Sequence, residues 1–359
     1  MRKFTAYFVV FAVLGTQASK GAATTFQGVG IYQSFDQFTA WAQQFAAANP
    51  DLVNVVQYGR SYQDRPLLAL QITQQPGGNN HSKPEFLFTG GIHAGEVIGS
   101  QAMYQLAEQL VGGYRSGGSA FLDILSEREV WIMPDLNPDG RIAVEGGNNS
   151  KRTNMQGVDL NRNFPHRWQD APSYRGDTYR GPSVLSTPED SALWALLHNS
   201  TSFDHLLGAI DFHSGTQLII SPWTSRTEFR DYPLPAADRA KFDYLADQMS
   251  QRTGIVVARL SYDTYGTLAD SLYEEFGTKS FIEEIFTGPS SDTFSFFNPL
   301  DIATRDDAVN HAVNSALYLL SDDAFYLVPE PSNGLLMTLW AAALFLLGKR
   351  IRTGATLRR

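Results

Sequence analysis

The chain has 359 residues, 43% hydrophobic and 18% charged, the profile of a folded body that can bury a full core as one large domain or two average ones. Its formal charge of −9 excludes nucleic acid as a partner, since a phosphate backbone needs a cationic surface. The absence of cysteine excludes a disulfide framework, a thiolate metal site and a cysteine nucleophile, so any metal must be held by histidine and carboxylate.

At the N-terminus, Arg2 and Lys3 lead into an apolar run over 4–14, and small residues follow around Thr16 and Ala18. That order predicts a secretory signal peptide over 1–18. A helix is expected over 35–48, closed by Asn49-Pro50, followed by strands over 52–58 and 67–73 joined by a turn at 59–65. Residues 75–83 read as a loop by composition. The strand 85–89 then runs into Gly90-Gly-Ile-His-Ala-Gly-Glu96. Beyond it a helix is expected over 97–111, where Ile98, Met103, Leu106 and Leu110 recur near a 3.6-residue period.

A strand over 129–133 empties into Asn137-Pro-Asp-Gly140, and a polar loop over 146–157 carries Lys151 and Arg152 into Gly157-Val-Asp-Leu-Asn-Arg-Asn163. Thr187 caps a helix that starts on Pro188 and runs to about residue 198. The strand 206–212 delivers Asp211-Phe-His-Ser214. A long helix over 235–253 stops at Gly254, a residue suited to a helix end. Strands over 256–260 and 280–286 flank Tyr262 and a short helix, and a final helix covers 301–321. Strands and helices alternate without an internal repeat, which predicts the α/β class and one domain over 25–324.

Open α/β sheets bind ligands outside the carboxyl ends of their strands. Two such ends carry His93 and His213, and a third strand carries Glu283 and Glu284 inside an apolar run. Buried carboxylates are rare without a partner or a task. Successive strand residues face opposite sides, so only one of these two glutamates can reach a cleft shared with the histidines. Two histidines and a glutamate around an open fourth position, with a separate general base, make a complete zinc hydrolase set. His166, His198 and His205 fit no such frame and read as surface or packing residues.

Taken in order, Gly90–Glu96, Asn137–Gly140, Gly157–Asn163, Asp211–Ser214, Tyr262 and Phe281-Ile-Glu-Glu284 resemble the zinc metallocarboxypeptidases of the carboxypeptidase A family. The resemblance implies a single-domain α/β/α sandwich with a central mixed, mostly parallel twisted sheet. It also implies one Zn2+ ion and hydrolysis of the C-terminal peptide bond of peptides or proteins. It places His93, Glu96 and His213 on the zinc, with Asp159 orienting a zinc-bound imidazole. By the frame of Phe276-Gly-Thr-Lys279 and Thr287-Gly288, Glu283 falls at the catalytic glutamate, with Glu284 the alternative. That carboxylate takes a proton from the attacking water and gives it to the leaving amine. Arg152, with Lys151 as its rival, falls at the arginine that polarises the scissile carbonyl. Asn161 and Arg162 match the pair that holds the substrate's terminal carboxylate, a task that suits a planar guanidinium. Tyr262 matches the tyrosine that closes over the bound residue.

Ala269 falls at the floor of the specificity pocket, which favours apolar or aromatic terminal residues, although a one-residue slip would put Asp270 there. Gly95 stands where pancreatic members carry an arginine. A monomer is expected. Two other readings remain: a zinc peptidase acting on cell-wall peptides with D-residues or γ-linkages, and an inactive matrix module that binds peptides.

The C-terminal 328–359 combines Pro329-Glu330-Pro331, an apolar run over 334–348 and the basic residues Lys349, Arg350, Arg352, Arg358 and Arg359. The apolar run is short against the roughly 20 residues of a stable membrane span. This tripartite end resembles the PEP-CTERM sorting signal, and a plain membrane anchor is the alternative. The resemblance implies a Gram-negative exporter, transient anchoring in the inner membrane through the unprocessed tail alone, and processing by an exosortase-type enzyme. Delivery to the cell surface or extracellular matrix follows.

Overall fold

The first helix, α1 (Phe35–Ala48), starts at a reciprocal cap. Ser34 Oγ accepts from the Gln37 N–H, and the Gln37 side chain accepts from the Ser34 N–H. In the computed structural model, residues 30–324 are described except 78–82, 200–202, 204, 259–261, 289–292 and 322–323. The expected signal peptide and sorting tail lie outside them.

Two antiparallel strands follow, β1 (Val53–Arg60) and β2 (Pro66–Ile72). Next come β3 (Glu85–Gly90), α2 (Val97–Arg115), α3 (Ser119–Glu127), β4 (Glu129–Met133) and α4 (Pro138–Glu145). A 3-10 turn over Leu160–Arg162 precedes α5 (Pro188–Asn199), β5 (Leu206–His213), β6 (Leu218–Ile220), α6 (Arg226–Asp231) and α7 (Ala236–Thr253). The chain ends its described course through β7 (Val256–Val257), α8 (Leu268–Phe276), β8 (Lys279–Glu284), α9 (Thr293–Phe297) and α10 (Ile302–Leu319).

The strands form one mixed sheet in the order β1-β2-β4-β3-β5-β8-β6-β7. The central four, β4, β3, β5 and β8, are mutually parallel, and antiparallel pairs join β2 to β4 and β8 to β6. Strand alternation divides the core between the two faces. Phe86, Phe88, Ile210, Phe212 and Phe281 pack with residues of α2, α7 and α10, whereas Leu87, Trp131, Met133 and Ala209 pack with residues of α5 and α8. The result is the expected three-layer α/β/α arrangement. Among the described residues no helix is long and apolar enough to cross a membrane.

Several short elements were not expected, among them α3, α4, α6, α9 and β6. The helix α4 hides behind Asn137-Pro138, which reads as a turn; Asn137 Oδ1 in fact caps it by accepting from the Gly140 N–H at 3.0 Å. The helices α3 and α6 and the three-residue strand β6 are too short to show a period of their own.

Sheet order locates the functional crevice. From β3 the chain steps to β4 on one side, and later returns to place β5 on the other. The carboxyl ends of β3 and β5 therefore border a topological switch point, where loops diverge and leave a crevice. Gly99 lets α2 start close against that border. A Cβ there would lie 2.7 Å from the Phe212 carbonyl oxygen.

Candidate metal centre and active site

His93 follows the end of β3, Glu96 immediately precedes α2, and His213 is the last residue of β5. Gly91, at φ +66°, turns the chain sharply between strand and ligands, a conformation open to glycine. His93 Nδ1 lies 2.9 Å from Glu96 Oε1, His213 Nδ1 lies 2.9 Å from Glu96 Oε2, and the two Nδ1 atoms are 3.1 Å apart. All three side chains are buried. Their ligand atoms lie within 4.8 Å of one another, the sole grouping of this kind among the described residues.

Each imidazole is held from behind. His93 Nε2 is 3.2 Å from Asp159 Oδ1, and His213 Nε2 is 2.7 Å from Asp211 Oδ2. A carboxylate on the far nitrogen fixes the tautomer and ring angle, and raises the basicity of the nitrogen that faces a metal. Two oriented histidines and one carboxylate, buried and unable to spread apart, are the donor set of a catalytic zinc site. Burial alone would raise the Glu96 carboxyl, but the two flanking imidazoles hold it well below the usual carboxylate range. Burial would likewise lower His213; Asp211 and Glu96 outweigh it and raise the imidazole well above its ordinary value. This concentrated negative field calls for a cation.

Asp159 serves three partners. Its Oδ1 meets His93 and accepts from the Asn161 N–H, while Oδ2 accepts from Arg152 Nε at 3.0 Å. Arg152 also reaches to 3.8 Å from Glu96, with its side chain 27% exposed. The guanidinium therefore points at the ligand cluster from the solvent side. Its rival Lys151 instead donates to Thr153 Oγ1 at 2.9 Å.

Asn161 and Arg162 arrive on the 3-10 turn. Asn161 Nδ2 lies 3.3 Å from His213 Nε2, and its Oδ1 accepts from the Leu268 N–H at 2.8 Å. The Arg162 guanidinium is buried, which lowers it, and Asp159 opposes that shift. The Tyr262 phenol is within electrostatic reach of Arg162, although the tyrosine is 57% exposed. Ala269 is buried beside Ile220 and Ile282. The neighbouring Asp270 is buried and engaged: its carboxylate accepts from the Thr224 N–H at 3.1 Å and from Thr224 Oγ1 at 2.6 Å.

Glu283 is not brought to the cluster, contrary to the expectation drawn from the downstream frame. In the parallel ladder it pairs with Phe212, whereas Glu284 pairs with His213. Side chains in register share a face, so Glu283 enters the layer beneath α10 and Glu284 shares the face of the zinc ligand. Glu283 Oε1 accepts from Ser315 Oγ at 3.0 Å, and burial pushes its carboxyl up to about 8. The Glu284 carboxyl is raised first by burial and then by the charge of Glu96, and is lowered by His213, His93 and Arg152. Those neighbours are the His-Glu-His cluster and the arginine beside it.

Two further contributors were not assigned from sequence. Asp211 stands two residues before His213 on a strand, a spacing that puts both on one face and could have revealed it. The Ser214 N–H donates to Glu96 Oε2 at 3.1 Å, a backbone contact that no side-chain pattern announces. His166 is a packing residue but far from bland. It is buried between Glu228 and Glu274, stacked 4.3 Å from Trp223, and raised to about 9 because Glu228, Asp270 and Glu274 together outweigh its burial. His198 is at the surface, paired with Glu275.

Fold and site together define an α/β protein with a buried His-Glu-His metal centre at a sheet switch point. The zinc carboxypeptidase family model matches residues 38–282, and the chain belongs to that family. It is 29% identical over 274 residues to zinc carboxypeptidase A 1 of Drosophila melanogaster, covering 72% of this chain and 60% of that protein. It is 34% identical over 194 residues to the carboxypeptidase N catalytic chain of Rattus norvegicus, covering 50% of this chain and 42% of the other. The matches thus span about half the length of these curated relatives. In fold it resembles the crystal structure of carboxypeptidase A from Helicoverpa armigera, with a TM-score of 0.68, 22% identity and coverage of 84% and 74% of the two chains. The crystal structure of thrombin activatable fibrinolysis inhibitor gives a TM-score of 0.69, 21% identity and coverage of 80% and 73%.

Proposed function

We propose that the protein is an exported zinc metallocarboxypeptidase that removes the C-terminal residue of peptides or proteins, with Glu284 as its general base. The observation that carries this reading is the buried His93, Glu96 and His213 set, backed by Asp159 and Asp211, with Glu284 in register beside His213. A zinc ion bound there supplies a Lewis acid for the scissile carbonyl and makes a water acidic enough to attack at neutral pH.

The chain's own groups do the rest. Arg162, buried at the cleft with Asn161, holds the substrate's terminal carboxylate and so fixes which bond is presented. Arg152 stands ready for the negative charge that develops on the carbonyl oxygen, and Asp159 keeps its guanidinium aimed. Glu284 takes the proton of the attacking water and delivers it to the leaving amine. Its raised carboxyl suits a group that must both accept and release a proton. Tyr262 closes over the terminal residue. Ala269 among Ile220 and Ile282, with Asp270 consumed by Thr224, supports an uncharged floor and an apolar terminal residue.

Export to a Gram-negative surface through the signal peptide and the PEP-CTERM-like tail completes the reading, with a monomer acting on peptide C-termini. The test is hydrolysis of a panel of blocked dipeptides by zinc-loaded protein, with and without a chelator. Glu284→Gln is expected to lower kcat by about 10²–10⁴, with zinc still bound, while Glu283→Gln leaves it within a few-fold. Turnover that survives complete zinc removal, or the reverse ranking of the two variants, would refute the mechanism.

A further inference from the structure

Tyr262 is too exposed for packing to hold it, so its place is set by how its loop is fastened. Thr264 Oγ1 lies 2.8 Å from Thr224 Oγ1, and the densest fastening is at the residue next to the tyrosine. Asp263 Oδ1 accepts from Ser225 Oγ at 3.0 Å and from the Thr227 N–H at 2.7 Å, and Oδ2 accepts from Thr227 Oγ1 at 2.9 Å. The Arg226 N–H adds a 3.4 Å bond to the Tyr262 carbonyl. These donors, with the Thr227 N–H foremost, hold the Asp263 carboxyl below its usual range. All of them belong to the start of α6.

The same short helix is tied to the segment that carries Arg162. Glu228, the residue after Thr227, meets His166 Nε2 with both oxygens at 3.0 Å. The Gly266 N–H donates to the His166 carbonyl at 2.9 Å, and the Phe164 N–H donates to the Gly266 carbonyl at 3.1 Å. The tyrosine loop is thus fastened at two points: to α6 through Asp263, with α6 tied in turn to His166, and directly to the Arg162 segment through Gly266.

We propose that Asp263 is a positioning residue, whose clamp on α6 holds Tyr262 within electrostatic reach of Arg162 so that the loop closes over the substrate's terminal residue. The assignment rests on the carboxypeptidase reading given above. Asp263 touches neither the metal ligands nor Glu284. Releasing it weakens substrate binding while leaving the bond-breaking step in place, so the loss falls on KM and not on kcat.

The experiment uses the full zinc-loaded chain and a blocked dipeptide with an apolar terminal residue. Asp263→Ala is expected to raise KM about tenfold with kcat within about twofold, the scale of one lost contact to a charged group. Asp263→Asn, which keeps an acceptor for the Thr227 N–H, recovers most of the loss. Thr227→Val, isosteric and outside the site, raises KM by a smaller factor. In a Tyr262→Ala background Asp263→Ala adds nothing, because both act through one contact. Hydrogen exchange of the backbone after residue 262 gives a readout independent of turnover, and is expected to accelerate in Asp263→Ala. An unchanged KM, a full additive loss in the Tyr262→Ala background, or unchanged exchange overturns the clamp. A wild-type protein inactive on every substrate refutes the carboxypeptidase reading instead, and exchange still judges the clamp.

Discussion

Glu283 and Glu284 are one peptide bond apart and lie in different surroundings, because a strand sends neighbours to opposite faces. Burial keeps Glu283 protonated in the folded state up to about pH 8, while the unfolded chain ionises near the ordinary 4.5. Between those values the folded state binds the extra proton, so this group's stabilising effect is complete below about 4.5 and is lost as pH climbs through 8. Glu283→Gln is expected to flatten the decline by a few kcal/mol, read from urea unfolding of both proteins at a series of pH values. Equal slopes for the two would contradict the buried, neutral carboxyl. At the metal, Asp211→Ala is expected to weaken zinc about 10–100-fold, measured by competition with a chromophoric chelator, because His213 loses the carboxylate that orients it.

Among the elements, those with a full period or a strong cap were legible. The helix α1 has its expected bounds because Ser34, Gln37 and Asn49-Pro50 punctuate it, and the apolar strands β3, β4 and β5 stand where expected within one or two residues. The helix α6 was not legible, since six residues give no period and its role lies in contacts to Asp263 and His166. The helix α2 shows how an element positions the site. Gly99→Ala would push a Cβ to 2.7 Å from the Phe212 oxygen, and backbone cannot yield as a flexible side chain can. A loss of about 1–3 kcal/mol is expected in urea unfolding, with weakened zinc binding, because Glu96 precedes α2 and His213 follows Phe212. Unchanged stability would mean that α2 shifts without cost.

For the whole molecule, the switch point between β3 and β5 gathers residues from distant parts of the chain: His93 and Glu96, Arg152 to Arg162, His213 and Glu284. The tail adds a prediction at this scale. Mass spectrometry of secreted protein is expected to find a C-terminus near Pro331; recovery of an intact Arg359 terminus outside the cell would refute processing. The amino-acid sequence by itself determined the α/β class and the zinc carboxypeptidase family, and it singled out the three residues of the buried His-Glu-His cluster. Those assignments rest on residue types at short spacing, on motif order and on strand ends, all local or ordered along the chain. Only the tertiary structure placed Glu284 on the face of His213 and Glu283 beneath α10, engaged Asp270 with Thr224 and joined Asp263 to α6. Each of these depends on register or contact between segments far apart in sequence. A one-residue change in register exchanges the faces of a strand without altering a single local preference.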